Sequence, residues 1–200
     1  MAYSSFTLTK LRTKLGIKSV YQSIFSPIPP TLEPDFVLAT DIEDGLSLPK
    51  GSEKSRSEYF IAPVFKGLRR LNSNQFTIFS GYNFEVDESL ELNGYCDYLL
   101  NNQPNSLDIQ ATVFCAVEAK VQPLESGYGQ CGAEMYAARL FNHENDFETP
   151  IIYGVVTSGT EWNFLKLEEN TLLIDTHIYN IENLPQLMGV LQYIINFYKK

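Results

Sequence analysis

The amino-acid sequence predicts a mixed α/β protein with a central sheet flanked by helices. Two observations lead to this prediction. Apolar residues recur at helical spacing in two segments, and short segments of strand length lie between and after them. With 200 residues and 44% hydrophobic content, the chain also has enough apolar side chains to bury one substantial core.

The N-terminal part of the chain is predicted to be an appended piece. We expect residues 7–15 to form a short amphipathic helix. The basic, serine-bearing composition of this segment is also typical of an organelle transit peptide, which is the alternative interpretation. The stretch SPIPPTLEP that follows has four prolines in nine residues, so we expect an extended connector. We therefore divide the chain into residues 1–50, the N-terminal helix and proline-rich connector, and residues 51–200, the main domain.

The main domain begins with a helix at residues 55–71, in which Ile61, Val64, Phe65, Leu68 and Leu71 fall on one face. This spacing predicts one buried stripe. The element order is α-β-β-β-α-β, with extra strands and a helix at the C-terminus. In chain order the remaining elements are strands at 76–85, 94–100 and 112–120, a helix at 128–142, strands at 151–157, 161–167 and 171–179, and a helix at 184–198.

A charged pair ends the third of these strands. Residues 113–117, VFCAV, are uncharged, as expected of a strand covered on both faces, because a half-exposed strand would alternate apolar and polar residues. Side chains alternate along a strand, so Glu118 and Lys120 share one side while Ala119 points to the other. Charge beside a buried strand is costly, and its presence indicates a site.

A second carboxylate is predicted to lie beside this pair. The turn-rich stretch NNQPNSLDIQ predicts that strands 94–100 and 112–120 form an antiparallel hairpin, in which Asp97 lies opposite the neighbourhood of Glu118. Two close carboxylates repel unless one is protonated or a cation lies between them. Oxygen ligands of this kind suit magnesium, manganese or calcium. The hairpin therefore predicts a divalent-metal site.

Composition and missing motifs exclude several other classes. The net charge is −9, and residues 71–200 hold 5 basic against 17 acidic residues, whereas residues 1–70 hold 10 against 7. Three cysteines without C-x-x-C spacing argue against a disulfide framework or a zinc cluster. No phosphate-binding glycine loop is present. Without an apolar run of bilayer length or a secretory signal, we expect a cytoplasmic protein with no membrane partner.

The hairpin motif resembles that of a known enzyme superfamily. GYCDYLL with Asp97, followed after twenty residues by E-A-K at 118–120, is similar to the D…(D/E)XK signature of the PD-(D/E)XK nuclease superfamily. The resemblance covers roughly residues 55–158. Cys96 stands where the proline of the name would be, and that proline is absent in many members.

The resemblance implies a restriction-endonuclease-like fold and a magnesium-dependent deoxyribonuclease that hydrolyses phosphodiester bonds in DNA. Glu58 falls where many members carry a glutamate on the helix before the three strands, and Gln130 falls where some carry a glutamine on the following helix. Lys120 would orient the attacking water, and Gln130 would position Lys120 or a phosphate oxygen. The implied ligands of Mg²⁺ or Mn²⁺ are Asp97, Glu118, the carbonyl of Ala119, and Glu58.

Each of these residues has a structural alternative. Glu58 fits a capping box with Ser55 as the N-cap, and Glu118 with Lys120 fits an ordinary ion pair at the end of a sheet. Gln130 fits a polar residue of the first helical turn, with Glu134 and Arg139 on the solvated face of the same helix.

Two other functions follow from these alternatives. In the first, the chain has a nuclease fold but acts as a nucleic-acid-binding or assembly module without catalysis. In the second, it is an unrelated α/β protein in which the E-x-K sequence is coincidental. The sequence leaves open DNA versus RNA, endo- versus exonuclease action, the recognised sequence, and the oligomeric state, a homodimer included.

Overall fold

The computed structural model describes residues 3–121 and 123–199, and these form a seven-stranded mixed sheet with helices on both faces. The predicted α/β class is therefore confirmed. The strand order is β1-β7-β6-β5-β4-β3-β2. The strands are β1 (Lys18–Tyr21), β2 (Thr77–Asn83), β3 (Tyr95–Asn101), β4 (Val113–Ala119), β5 (Ile151–Thr157), β6 (Glu161–Glu168) and β7 (Thr171–Asn180).

From residue 53 onward the helices and strands follow the predicted order α-β-β-β-α-β, with β6, β7 and a last helix added at the C-terminus. The helix predicted at residues 55–71 is one continuous helical segment whose middle, Ser57–Ile61, has π-helical hydrogen bonds. The α-helices are α1 (Leu8–Leu15), α2 (Phe36–Ser47), α3 (Glu53–Arg56), α4 (Ala62–Leu71), α5 (Tyr128–Glu144) and α6 (Leu184–Tyr198). Within the described residues, no helix is both long and apolar enough to cross a membrane.

Strand β4 is an interior strand of the sheet and is buried along its whole length. It pairs in parallel with β5 and antiparallel with β3, where Tyr98 lies opposite Val117. One core contains Val117 together with Phe65 of α4 and Leu191 of α6. A second core, on the other face, contains Ala116 together with residues of α1 and α5. The continuous apolar run of β4 is explained by this cover on both faces.

The N-terminal residues contribute to the common sheet and core. Strand β1 pairs in parallel with β7, and Tyr3 and Phe6 are buried in the core that includes α5. A Cβ atom on Gly129 of α5 would lie 2.4 Å from the carbonyl oxygen of Phe6, so glycine permits this close approach. The predicted helix at 7–15 is present as α1, whereas β1 and α2 were not predicted.

Candidate active site at the ends of β3 and β4

A pocket of about 220 Å³ lies where β3 begins and β4 ends. It brings together four of the five predicted catalytic side chains. The starts of α3 and α5 and the N-terminal segment before α1 supply the other walls. The lining residues are Tyr3, Ser4, Glu53, Gly94, Tyr95, Asp97, Glu118, Lys120 and Gln130.

Glu118 and Lys120 lie on the same side of the chain, as the alternation along β4 predicts. Lys120 Nζ lies 2.6 Å from Glu118 Oε1, and the Glu118 side chain is only 2% exposed. The backbone of Lys120 is also held, because its N–H donates to the carbonyl of Thr157 at 2.8 Å. The Lys120 side chain is 22% exposed, so its ammonium group remains accessible from the pocket.

Asp97 lies in β3 and bonds to the end of β4. Its Oδ2 accepts a hydrogen bond from the backbone N–H of Ala119 at 2.8 Å. This bond joins the two strands at the position that the hairpin register predicts, and it uses one of the two carboxylate oxygens. The predicted convergence of Asp97 with Glu118 and Lys120 in one pocket is therefore confirmed.

Gln130, in the first turn of α5, contacts both members of the ion pair. Its Nε2 donates to Glu118 Oε2 at 2.7 Å and to Glu134 Oε1 at 3.1 Å. Its Oε1 accepts a longer hydrogen bond from Lys120 Nζ at 3.4 Å. Gln130 is therefore more than a polar residue of the first helical turn.

The prediction that Glu134 lies on a solvated helix face is wrong, because its side chain is completely buried. Helix α5 packs between the sheet and α1, so nearly all of its faces are covered. Glu134 Oε2 has no hydrogen-bond partner within the described residues. The sequence carries a signal for this burial, since the glutamate stands inside the run CGAEM of small and apolar residues. Arg139, on the same predicted face, is half-buried and donates to the carbonyl of Glu169.

Glu58 does not line the pocket, contrary to its predicted role as a metal ligand. Its side chain is 57% exposed, with its carboxylate 3.8 Å from Lys54 Nζ. The helical segment begins at Glu53, with Ser52 as the N-cap and Ser55 as the third residue of the capping box. The alternative prediction, a capping box with Ser55 as the N-cap and Glu58 as its third residue, is therefore wrong as well. Glu53, in the first turn, is the helix glutamate that lines the pocket.

The N-terminal segment forms a wall of the pocket that was not predicted. The Tyr3 hydroxyl donates to the carbonyl of Phe84 at 2.9 Å, and Ser4 lines the pocket beside it. Lys10 and Lys14 of α1 both form ion pairs with Glu91, the former at 2.6 Å. These contacts hold the wall against the loop between β2 and β3.

Burial controls the acid–base behaviour of the pocket. It raises the pKa of Glu118 to about 7, and repulsion from Asp97 adds to this effect while Lys120 opposes it. Burial also raises the pKa of Asp97 and, well above its usual range, that of Glu134. Burial alone would lower the pKa of Lys120, but the attraction and hydrogen bond to Glu118, together with the charges of Glu53 and Asp97, outweigh burial and raise that pKa. These groups therefore favour binding of a cation as the pH rises.

We expect the metal-free protein to lose stability between about pH 4.5 and pH 7 because of Glu118. Its folded pKa of about 7 exceeds the ordinary value of 4.5, so in this range the folded state retains a proton that the unfolded chain has released. The loss is on the order of 3 kcal/mol in the free energy of unfolding. Urea unfolding at several pH values in the presence of a chelator measures it.

Glu118→Gln is the matched variant for this measurement, since it cannot titrate. It should make the fall in stability shallower across the same interval, while Asp97 and Glu134, whose pKa values are also raised, still contribute. Equal slopes for the wild type and Glu118→Gln would contradict the assignment.

The oxygen atoms of the pocket fit a hard divalent cation. Within residues 3–121 and 123–199, no group of three or more histidine, cysteine, aspartate and glutamate side chains is arranged around one point for a metal. Two carboxylates and a neighbouring backbone carbonyl are nevertheless the kind of donor that Mg²⁺ and Mn²⁺ accept, together with water. Lys120 Nζ now contacts Glu118 Oε1, so an ion bound by that atom would replace the ammonium group there.

No family model matches this chain, and no match to it is found among curated proteins or solved structures. The pocket is therefore the basis for assigning a function. It combines two carboxylates, an ammonium group and an amide in a partly buried cleft. Such a set can bind a cation and neutralise a developing negative charge.

Proposed function

We propose that the protein is a metal-dependent nuclease of the restriction-endonuclease-like fold that hydrolyses phosphodiester bonds in DNA. The observation that carries this proposal is the meeting of Asp97, Glu118 and Lys120 in one pocket. The order of the surrounding elements and the resemblance of the hairpin motif support it. Gln130 forms hydrogen bonds with both Glu118 and Lys120, which fits the role that the resemblance implies for it, the positioning of Lys120.

The residues that would hold Mg²⁺ or Mn²⁺ are Asp97, Glu118 and the carbonyl of Ala119. Glu53 replaces Glu58 as the helix carboxylate of the proposed site, because Glu53 lines the pocket. A cation held there would polarise the scissile phosphate and lower the pKa of the attacking water. It also compensates the charge of a carboxylate-rich pocket that would otherwise repel DNA.

Lys120 has the geometry to act on the phosphate or on the attacking water. Its backbone is fixed at the end of β4 by the hydrogen bond to Thr157, and its ammonium group is partly exposed to the pocket. A positive group held in this way offsets the negative charge that develops during hydrolysis. Glu118 and Gln130 limit where the Lys120 side chain can reach.

We expect Asp97→Asn to abolish binding of Mn²⁺ and metal-dependent cleavage. Asparagine keeps an oxygen that can accept the hydrogen bond from Ala119, so the hairpin stays closed while the carboxylate charge is lost. Isothermal titration with Mn²⁺ and a DNA cleavage assay measure the two effects. Asp108→Asn, at an exposed position between β3 and β4, is the matched control and should behave as the wild type. Metal affinity that is the same in both variants would exclude Asp97 as a ligand.

The substrate is tested with linear, nicked, single-stranded and branched DNA and with RNA, each with Mg²⁺, Mn²⁺ or a chelator. We expect cleavage of at least one DNA form that the chelator stops. A wild-type protein that cleaves none of them would favour the nuclease-fold module that binds or assembles without catalysis. The low basic content of residues 71–200, with 5 basic against 17 acidic residues, favours that second function.

A further inference from the structure

We infer that Glu134 is a positioning residue of the pocket, which fixes the Gln130 amide and through it the contacts of Glu118 and Lys120. This inference rests on the proposed function, in that the pocket it orders is taken to be catalytic. Glu134 itself does not line the pocket. It lies behind Gln130, one helical turn further along α5.

The contact between the two side chains is direct and shielded from solvent. Residues four apart on a helix lie on the same face, and Gln130 Nε2 donates to Glu134 Oε1 at 3.1 Å. Glu134 is completely buried, so surrounding atoms of the core restrict its movement. Gln130 is thus held from the core side by Glu134 and from the pocket side by Glu118.

These two contacts determine which way the Gln130 amide faces. An amide has two N–H donors on nitrogen and an acceptor oxygen. Both donors of Gln130 point to carboxyl oxygens, one on Glu118 and one on Glu134, so the amide oxygen faces Lys120 Nζ. The reversed amide would place its oxygen against Glu118 Oε2 and its N–H groups against Lys120 Nζ, so both of these contacts would be lost. If another partner takes Glu118 Oε2, Glu134 still holds the amide in this orientation.

A purely structural role does not explain a carboxyl group at this position. Glu134 Oε2 forms no well-aligned hydrogen bond within the described part of the chain, although the Glu134 and Glu118 carboxyl groups interact, and an unpaired buried polar group costs about 1–3 kcal/mol. Its neighbours Ala133 and Met135 are apolar and equally buried. An apolar residue would fill the same space at lower cost, whereas it could not accept the hydrogen bond from Gln130.

The test compares Glu134→Gln, which keeps an acceptor oxygen, with Glu134→Leu and Glu134→Met, which do not. We expect the leucine and methionine variants to lower kcat for DNA cleavage by about 10–100-fold, as for other residues that orient metal-site groups. The KM for DNA should stay unchanged, because Glu134 lies behind the pocket. Glu134→Gln should keep kcat within about threefold of the wild type, because its amide oxygen replaces the carboxyl acceptor.

Asp175→Asn is the matched control. Asp175 of β7 is also a buried carboxyl with an oxygen that lacks a partner within the described residues, and it does not line the pocket. Its substitution should leave kcat and KM unchanged. The comparison separates a positioning role of Glu134 from a general effect of removing a buried carboxyl.

A second readout does not depend on activity. The side-chain amide of Gln130, observed by ¹⁵N–¹H NMR, should show two distinct, slowly exchanging protons in the wild type and in Glu134→Gln. In Glu134→Leu or Glu134→Met, one of these two protons should shift toward the position of a free amide and exchange faster.

The NMR spectrum also separates failure of this inference from failure of the proposed function. If the wild type cleaves no substrate, the proposed function has failed, whereas the spectrum still tests the inference. Wild-type kcat in the leucine and methionine variants, an unchanged Gln130 spectrum, or a loss of kcat in Glu134→Gln as large as in Glu134→Leu would overturn it.

Discussion

Lys120→Ala is expected to lower the rate of DNA cleavage by about 10²–10³-fold, the usual effect of removing a group that stabilises transition-state charge. The protein should stay folded, because the lysine side chain is partly exposed and contributes little to the core. Glu118 loses its cationic partner in this variant and is 2% exposed, so its pKa rises further and it takes up a proton. Initial rates at saturating Mn²⁺, with a thermal melt of the same preparation, measure both effects.

Lys66→Ala is the control for Lys120→Ala, since Lys66 is an exposed lysine of α4 that does not line the pocket. It should cleave at the wild-type rate. At a pH above the raised pKa of Glu118, Mn²⁺ should bind Lys120→Ala at least as tightly as the wild type, because neither a proton nor an ammonium group then competes for Glu118. Equal cleavage by the wild type and Lys120→Ala would point to a contaminating nuclease and remove the support for a catalytic Lys120.

Gly129→Ala is expected to destabilise the protein by about 2–3 kcal/mol, the upper part of the range for an overpacked core. The new Cβ would lie 2.4 Å from the carbonyl oxygen of Phe6 and 2.5 Å from Thr7 Cα. Both are backbone atoms, so a change of side-chain rotamer cannot relieve the overlap. The N-terminal segment must move away from α5, which exposes Phe6 and Tyr3. For a chain of this length the melting temperature should fall by about 5–10 °C.

Gly51→Ala is the control for this substitution, because a Cβ at Gly51 meets no atom within 4 Å. Its melting temperature should stay within about 1–2 °C of the wild type, as expected of a surface change. Limited trypsin digestion gives a second measurement, since Lys10, Arg12 and Lys14 should become cleavable in Gly129→Ala. An unchanged melting temperature and digestion pattern would mean that the segment does not pack against α5 in solution.

The central hairpin could be predicted because its signals are local. A turn-rich stretch separates two short apolar segments, and the period-two alternation then fixes which side chains meet. Asp97, Glu118 and Lys120 were placed together for this reason. Gln130 was placed only by the resemblance to the superfamily, in which some members carry a glutamine at the start of the helix after this hairpin.

The remaining features depend on distant contacts or on ambiguous local signals. Strand β1 has four exposed residues without alternation, and only its pairing with β7 makes it a strand. Glu53 and Glu58 follow several closely spaced serines, so the sequence did not show which serine caps the helix. Glu134 is buried because α1 covers α5, a contact that periodicity within α5 does not reveal. Tyr3 reaches the pocket for the same long-range reason.

The parallel pairing of β1 with β7 has a consequence for synthesis on the ribosome. Residues of β1 emerge early, whereas their partners Thr171–Ile174 emerge near the end of translation. At about 5–20 residues per second, the nascent β1 waits on the order of 10 s for its partner. Until then, the N-terminal segment before β1 lacks the anchor that the sheet provides on one side. Until nearly the whole chain has been made, the wall that Tyr3 and Ser4 give to the pocket is thus held only by its contacts with the loop between β2 and β3 and with α5.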